Sequence, residues 1–177
     1  LAEAARDRGA KVILVAAPTG LPDPPLVQVD RVKSALEMCD AVLGHLERAD
    51  ALIMAAAVAD YRPATESAQK IKKSSDDLNI SLTKTVDILE AAKGAFVKVG
   101  FAAESQDLVE NAKAKVTKKG LDLIVANDIT DPQSGFGVDT NKVALIGSDL
   151  RVEELPVLTK YEVSHRILDR VIPLLRS

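Results

Sequence analysis

Tryptophan is absent from this chain, cysteine occurs once, and three phenylalanines and two tyrosines are spread over 177 residues. The lone Cys39 excludes an internal disulfide. It falls in a helical period with no His or Gly turn beside it, so it reads as a small packed residue in a reducing compartment rather than a nucleophile. No apolar run approaches the ~18–20 residues that span a bilayer, and no secretory leader pattern opens the chain. The expectation is a cytoplasmic protein with no membrane partner. An excess of one charge is missing too. The 23 basic and 26 acidic residues leave a net charge of −3, which speaks against general nucleic-acid binding and makes the lysines local features.

Missing motifs narrow the chemistry. No G-x-G-x-x-G occurs, and the apolar run at 11–16 ends in Ala16-Ala17-Pro18-Thr19 without an acidic residue to hold an adenosine ribose. A nicotinamide dehydrogenase is therefore disfavoured. His45 and His165 are remote in sequence and belong to no ligand-spaced pair, so they read as surface histidines on their helices. Ser/His/Asp catalysis lacks its nucleophile elbow.

What the chain does have is an aliphatic composition, rich in Ala, Val, Leu and Ile, that suits a parallel sheet covered by helices. The length fits one domain over residues 1–177. Apolar runs predict strands at 11–16, 51–56, 97–102, 121–126, 142–146 and 152–158, and a short extended segment at 78–82. Helical spacing covers 32–49, 86–92 with Thr85 as N-cap, 108–119 and 159–175. A Thr159-Lys160-Tyr161-Glu162 capping box opens the last helix, and Pro173 is expected to kink or end it. Loops fill 18–25 and 127–141. Strand and helix alternate with connections that read as too long for hairpins, giving a mostly parallel α/β sheet. Residues 1–9 read as the last turns of a helix closed by Gly9, with no initiator Met and no strand before it, as in a domain incomplete at its N-terminus.

Residues 54–73, MAAAVADYRPATESAQKIKK, are the most informative stretch. Apolar residues 51–57 empty into Asp60-Tyr61-Arg62-Pro63, and a polar segment then ends in Lys70-Ile71-Lys72-Lys73. A buried strand that opens into a polar loop marks the carboxyl edge of an α/β sheet, where ligands bind. One carboxylate and three lysines can hold a polyphosphate and its metal, although a solvated loop has the same composition. Lys115 and Lys119, four apart, share a helix face. They either complement the C-terminal dipole or reach a nucleotide phosphate, and spacing leaves both open.

MAAAVADYRP, KIKK, KTVDIL, VGFAAES and KKGLDLIVANDI with SGFG, in that order, resemble phosphopantothenate–cysteine ligase, the ligase half of the bifunctional bacterial protein that makes coenzyme A precursors. LPDPP and SALEM extend the resemblance to residues 1–172. It implies a Rossmann-like three-layer sandwich that joins 4′-phosphopantothenate to L-cysteine through an acyl-cytidylate. CTP would be the co-substrate and Mg²⁺ the metal, in a homodimer, with FMN only in a fused phosphopantothenoylcysteine decarboxylase domain.

Carried over residue by residue, the resemblance lines the nucleotide with the backbone of Met54, Ala55 and Ala56 and sets Ala57 against phosphopantothenate. Asp60 would hold the nucleotide at its sugar or through metal and water. Lys70 opens a lid-like segment and would contact the phosphates, the one catalytic role assigned to this chain. Val86, Asp87, Ile88 and Leu89 would begin a helix whose N–H groups face the nucleotide. Phe101 would pack near the base or sugar, and Lys115 with Lys119 would complete the phosphate or base contacts. Two departures stand out. Thr85-Val86 replaces the Asn-Pro common in the family, and the family's first strand, glycine turn and catalytic Asn have no counterpart, which implies that this piece alone is inactive. The competing class is a non-enzymatic, regulatory nucleotide-binding domain, which would not need Lys70.

Overall fold

The computed structural model describes residues 1–65, 67, 69–70, 79–104, 106–128, 130, 134 and 137–175. Helix α1 (Ala2–Asp7) ends in a left-handed turn at Gly9, φ +86°, where the Gly9 and Ala10 N–H groups bond back to the Arg6 and Ala5 carbonyls. Glycine takes this conformation without strain. Strand β1 (Ile13–Ala16) pairs in parallel with β2 (Gln28–Arg31) as a separate two-stranded sheet. The sequence pattern does not reveal β2, because Gln28-Val29-Asp30-Arg31 offers a single apolar side chain. Helix α2 (Ala35–His45) starts later than its periodicity suggests, because the Ser34 hydroxyl accepts the Glu37 N–H and caps it; a 3-10 turn over Leu46–Arg48 follows.

The chain continues through β3 (Ala51–Met54), β4 (Tyr61–Pro63), β5 (Leu82–Lys84), α3 (Ile88–Ala91), β6 (Val97–Glu104), α4 (Leu108–Lys119) and β7 (Leu123–Asp128). It closes with β8 (Thr140–Asn141), β9 (Val143–Gly147), β10 (Val152–Glu154), β11 (Leu158–Thr159) and α5 (Lys160–Leu174). The main sheet has the order β10-β9-β7-β6-β3. Strands β3, β6 and β7 run parallel, while β9 and β10 are antiparallel. The α/β class holds, and the sheet is mixed because β9 runs antiparallel to β7 on one side and to β10 on the other, the second pair being joined by a hairpin. Between β9 and β10 the chain turns with the Leu150 N–H on the Gly147 carbonyl (2.9 Å) and Leu150 at φ +61°, a link short enough only for antiparallel strands. The expected strand at 152–158 is interrupted at Leu155-Pro156, and its far end, β11, pairs with β8 instead.

Period-two burial along β7 divides the core. Leu123 and Val125 pack with Val163, Ile167 and Val171 of α5, whereas Ile124 and Ala126 pack with Ala112 and Val116 of α4. Both faces are covered, which is why LDLIVA reads as an unbroken apolar run. Helix α2 sets Met38, Cys39 and Val42 against Val15 of β1 and against Leu52 and Met54 of β3, so one helix joins the small sheet to the large one. Cys39 is buried there, and burial, with Asp40 nearby, pushes its thiol pKa up.

Candidate functional site

Met54, the last residue of β3, pairs with Gly100 of β6 and is half-buried against two core clusters; Ala55, Ala56 and Ala57 then emerge exposed. The chain next builds a ribbon. Strands β4 and β5 are antiparallel with Arg62 opposite Thr83. The ladder is continued by the Thr85 N–H on the Asp60 carbonyl (2.8 Å) and the Ala64 N–H on the Ser81 carbonyl (2.9 Å). Strand alternation turns Tyr61, Pro63, Leu82 and Lys84 outward and places Asp60, Arg62, Thr83 and Thr85 on the other face. Burial follows this division except at the ribbon's end, where Asp60 is exposed: Tyr61 is 60% and Leu82 58% exposed, Arg62 and Thr83 are half-buried, and Thr85 is 7% exposed.

Helix α3 follows at once. Its N-cap is Asp87, whose carboxylate accepts the Glu90 N–H (3.2 Å), and not Thr85, which the ribbon holds two residues upstream. The carboxylate also lies 2.8 Å from Lys119 Nζ, tying the end of α4 to the start of α3, and Lys118 Nζ stands 4.0 Å from Glu90. Partial burial pushes the Asp87 pKa up, and the Lys119 hydrogen bond with the Glu90 and Leu89 N–H groups outweighs it, holding the carboxyl below its ordinary value. One of the helix's first N–H groups, that of Glu90, is therefore already engaged by Asp87. Ile88 and Leu89 bury their side chains in the core, leaving only backbone for a ligand, while Val86 is exposed.

Asp60, Thr85, Asp87 and Lys119 thus come together through contacts. Lys115, one turn before Lys119, is half-buried on α4. Phe101, in β6 one residue past Gly100, is half-buried and packs against the α5 side of the sheet, opposite the face that α4 covers. Lys70 is exposed at the end of the described part of its segment; Ile71, Lys72 and Lys73, like Phe136, lie outside the described residues.

Several residues escape the sequence pattern. Lys98 is 9% exposed at the second position of β6, and its ammonium donates to the Ala92 (2.8 Å) and Leu89 (3.2 Å) carbonyls at the end of α3. Its signal was a lone Lys inside the VKVGF run. Buried Ser134 accepts the Lys142 N–H (3.1 Å) and lies 2.8 Å and 2.7 Å from the Asn127 and Asn141 side-chain oxygens, so this one residue is tied to the end of β7 and to β8. The histidines are less idle than expected. His45 Nε2 is 2.6 Å from Asp30 Oδ2, and His165 Nδ1 accepts the Arg8 Nε–H (2.8 Å) while its ring meets Tyr161 edge-on. Among the described residues no three His, Cys, Asp or Glu side chains group to hold a metal, and no helix is long and apolar enough to cross a membrane.

Comparison with known proteins agrees with this architecture. Residues 1–174 match the DNA/pantothenate metabolism flavoprotein C-terminal domain. The chain is 43% identical to the coenzyme A biosynthesis bifunctional protein CoaBC of Bacillus subtilis, over 98% of this chain and 44% of that protein. It is 40% identical to CoaBC of Escherichia coli K12, over 97% and 44%, and 39% identical to a cysteine/cysteine sulfinic acid decarboxylase of an unknown prokaryotic organism, over 98% and 50%. The chain therefore spans about half the length of the curated relatives it matches. The crystal structure of the CoaBC C-terminal domain superposes with a TM-score of 0.82 at 38% identity, covering 99% of this chain and 80% of that one. A Streptococcus pneumoniae DNA/pantothenate metabolism flavoprotein shares the fold at a TM-score of 0.79 and 20% identity, over 97% and 85%. The chain belongs to the family of the DNA/pantothenate metabolism flavoprotein C-terminal domain, the ligase domain of CoaBC.

Proposed function

We propose that this domain joins 4′-phosphopantothenate to L-cysteine in coenzyme A biosynthesis at the expense of CTP. The substrate carboxylate attacks the α-phosphorus, the bond to the β-phosphate breaks and pyrophosphate leaves. The cysteine amine then attacks the acyl carbon, a C–N bond forms, CMP departs and the nitrogen loses a proton. A free carboxylate is a poor acylating agent, and cytidylylation converts its oxygen into a leaving group.

The observation that supports this reading is the meeting of three motif segments. VADYRP touches KTVDIL through Asp60 and Thr85, and KTVDIL touches the end of α4 through Asp87 and Lys119. In this reading the backbone at Met54, Ala55 and Ala56 lines the nucleotide and Ala57 contacts phosphopantothenate. Val86, Ile88 and Leu89 contribute main-chain atoms, Phe101 acts near the base or sugar, and Lys70, Lys115 and Lys119 meet phosphate or base. Mg²⁺ held with the triphosphate would supply positive charge to offset what develops on the leaving pyrophosphate. It takes few protein carboxylates when phosphates supply the rest, and Asp60, whose carboxylate has no ion pair among the described residues, fits that role. A homodimer, and a preceding decarboxylase domain that would carry FMN, belong to the same proposal.

The test is pyrophosphate release by the full-length protein with phosphopantothenate, cysteine and Mg²⁺, with CTP and ATP compared. Release that needs phosphopantothenate and prefers CTP is expected; none with either nucleotide would remove the ligase reading in favour of a regulatory nucleotide-binding domain. Lys70→Ala should then weaken CTP and slow turnover through a lost phosphate contact. Turnover at the wild-type rate would take Lys70 out of the site.

A further inference from the structure

The described residues contain two buried side-chain polar atoms without a hydrogen-bond partner, Arg62 Nε and Thr85 Oγ1. Both belong to the inward face of the β4–β5 ribbon. Arg62 is opposite Thr83 in the ladder, and the Thr85 N–H on the Asp60 carbonyl carries the register one step further. Arg62 and Thr85 are therefore diagonal neighbours, ~7–8 Å apart along such a ribbon. Asp60 shares their face, yet no Asp60–Arg62 ion pair forms. The guanidinium reaches only the Pro63 carbonyl, at 3.5 Å, the outer limit of a hydrogen bond.

A buried donor without an acceptor is unfavourable, and two in one short ribbon, beside the meeting point of the motif segments, need a common reason. We infer that this face binds an oxyanion of a substrate, with the Arg62 guanidinium and the Thr85 hydroxyl donating to its oxygens. Both groups can donate to a phosphate or carboxylate, and the guanidinium fork matches either. The inference deepens the ligase reading by adding two specificity residues to the same site. The oxyanion belongs either to the nucleotide or to phosphopantothenate.

Binding decides this independently of turnover. The full-length protein is titrated calorimetrically with CTP, with inorganic pyrophosphate and with 4′-phosphopantothenate, each with Mg²⁺. Arg62→Met is expected to weaken at least one probe about tenfold or more, the scale of a lost charge-assisted hydrogen bond. Arg62→Lys, which keeps the charge but not the fork, should recover part of it. Thr85→Val should weaken the same probe while Tm stays level or rises, because valine removes an unsatisfied buried hydroxyl. Weakened CTP and pyrophosphate assign the oxyanion to the nucleotide; weakened phosphopantothenate alone assigns it to the acyl substrate. The inference falls if wild-type protein binds none of the three, or if Arg62→Met and Thr85→Val bind all of them at wild-type strength. It also falls if Thr85→Val lowers Tm without changing any affinity, since the hydroxyl would then be structural. Binding that follows these expectations without any pyrophosphate release would leave the oxyanion face standing and remove the ligase reading.

Discussion

Lys98 shows what one side chain does in this fold. Its neighbours Val97 and Val99 are core residues, and its own stem runs into the opposite layer, where the ammonium holds the Leu89 and Ala92 carbonyls. Burial lowers its pKa, with Lys93 adding to the effect and Asp122 opposing it. The last carbonyls of a helix have no partners within it, and α3, at four residues, is far too short to persist alone. Lys98→Met keeps the volume but orphans those carbonyls, so stability should fall by about 1–3 kcal/mol. In urea melts the midpoint should drop with the slope unchanged. Because α3 begins at Asp87, CTP should also bind less tightly; an unchanged midpoint would mean that α3 is held by its leucine and isoleucine alone. Such a role is hard to read from sequence, since a lone lysine in an apolar run looks like an edge residue until the carbonyls it meets are known. Thr85 was misread for a related reason. Hydroxyl residues before a helix favour capping, but here a strand partner 25 positions upstream claims its backbone and Asp87 takes the cap.

Elements were legible where their stabilisation is local or fully buried. The Thr159–Glu162 capping box forms as its four residues indicate, with the Glu162 N–H on the Thr159 hydroxyl and the Glu162 carboxylate on the Thr159 N–H, and Pro173 falls in the last turn of α5. Strand β7 needs no partner to be recognised, because every residue of its LIVA core is buried. Strands β4 and β5 are different: three residues each, with Arg62, Pro63 and Lys84 among them, they are strands only because each pairs with the other. Their one sequence signal is alternation, polar at Asp60 and Arg62, then hydroxyl at Ser81, Thr83 and Thr85. The contact between β6 and the helices on its face can be tested at Gly100. A Cβ there would lie 2.9 Å from Leu121 Cδ1 and 3.3 Å from Leu89 Cδ1. Those methyls can retreat, so Gly100→Ala should fold, with a loss of about 1–3 kcal/mol from overpacking. A thermal melt at or above the wild-type Tm would show that Leu121 and Leu89 repack without strain.

Across the whole molecule, the carboxyls held below their ordinary pKa sit at junctions between elements rather than in the core. Asp7 is held by the Tyr161 hydroxyl and by Arg6, and it links α1 to α5. Asp30 is held by His45 and Gln28, and it links β2 to α2. Asp87 joins α3 to α4, and Glu162 is held by Thr159 at the start of α5. Each folded value lies below the unfolded value, about 3.9 for Asp and 4.3 for Glu. Between the two values the unfolded chain binds more protons, so stability rises with pH there. Their contribution is complete above about pH 5 and is lost as pH falls through the folded values. Thermal melts should therefore give a level Tm between about pH 7 and 5 and a fall below about pH 4, and added salt should shrink the fall, since these pairs are only partly buried. Asp30→Asn should lower Tm at neutral pH and flatten the acid limb, because a group that no longer titrates leaves the linkage. These four carboxyls lie outside the main sheet, so acid should part the junctions first, with α2 and the small β1–β2 sheet losing protection in hydrogen exchange before β6 and β7. Simultaneous loss at β7 would mean that the layers unfold as one unit and that the junction carboxyls act only through the global equilibrium.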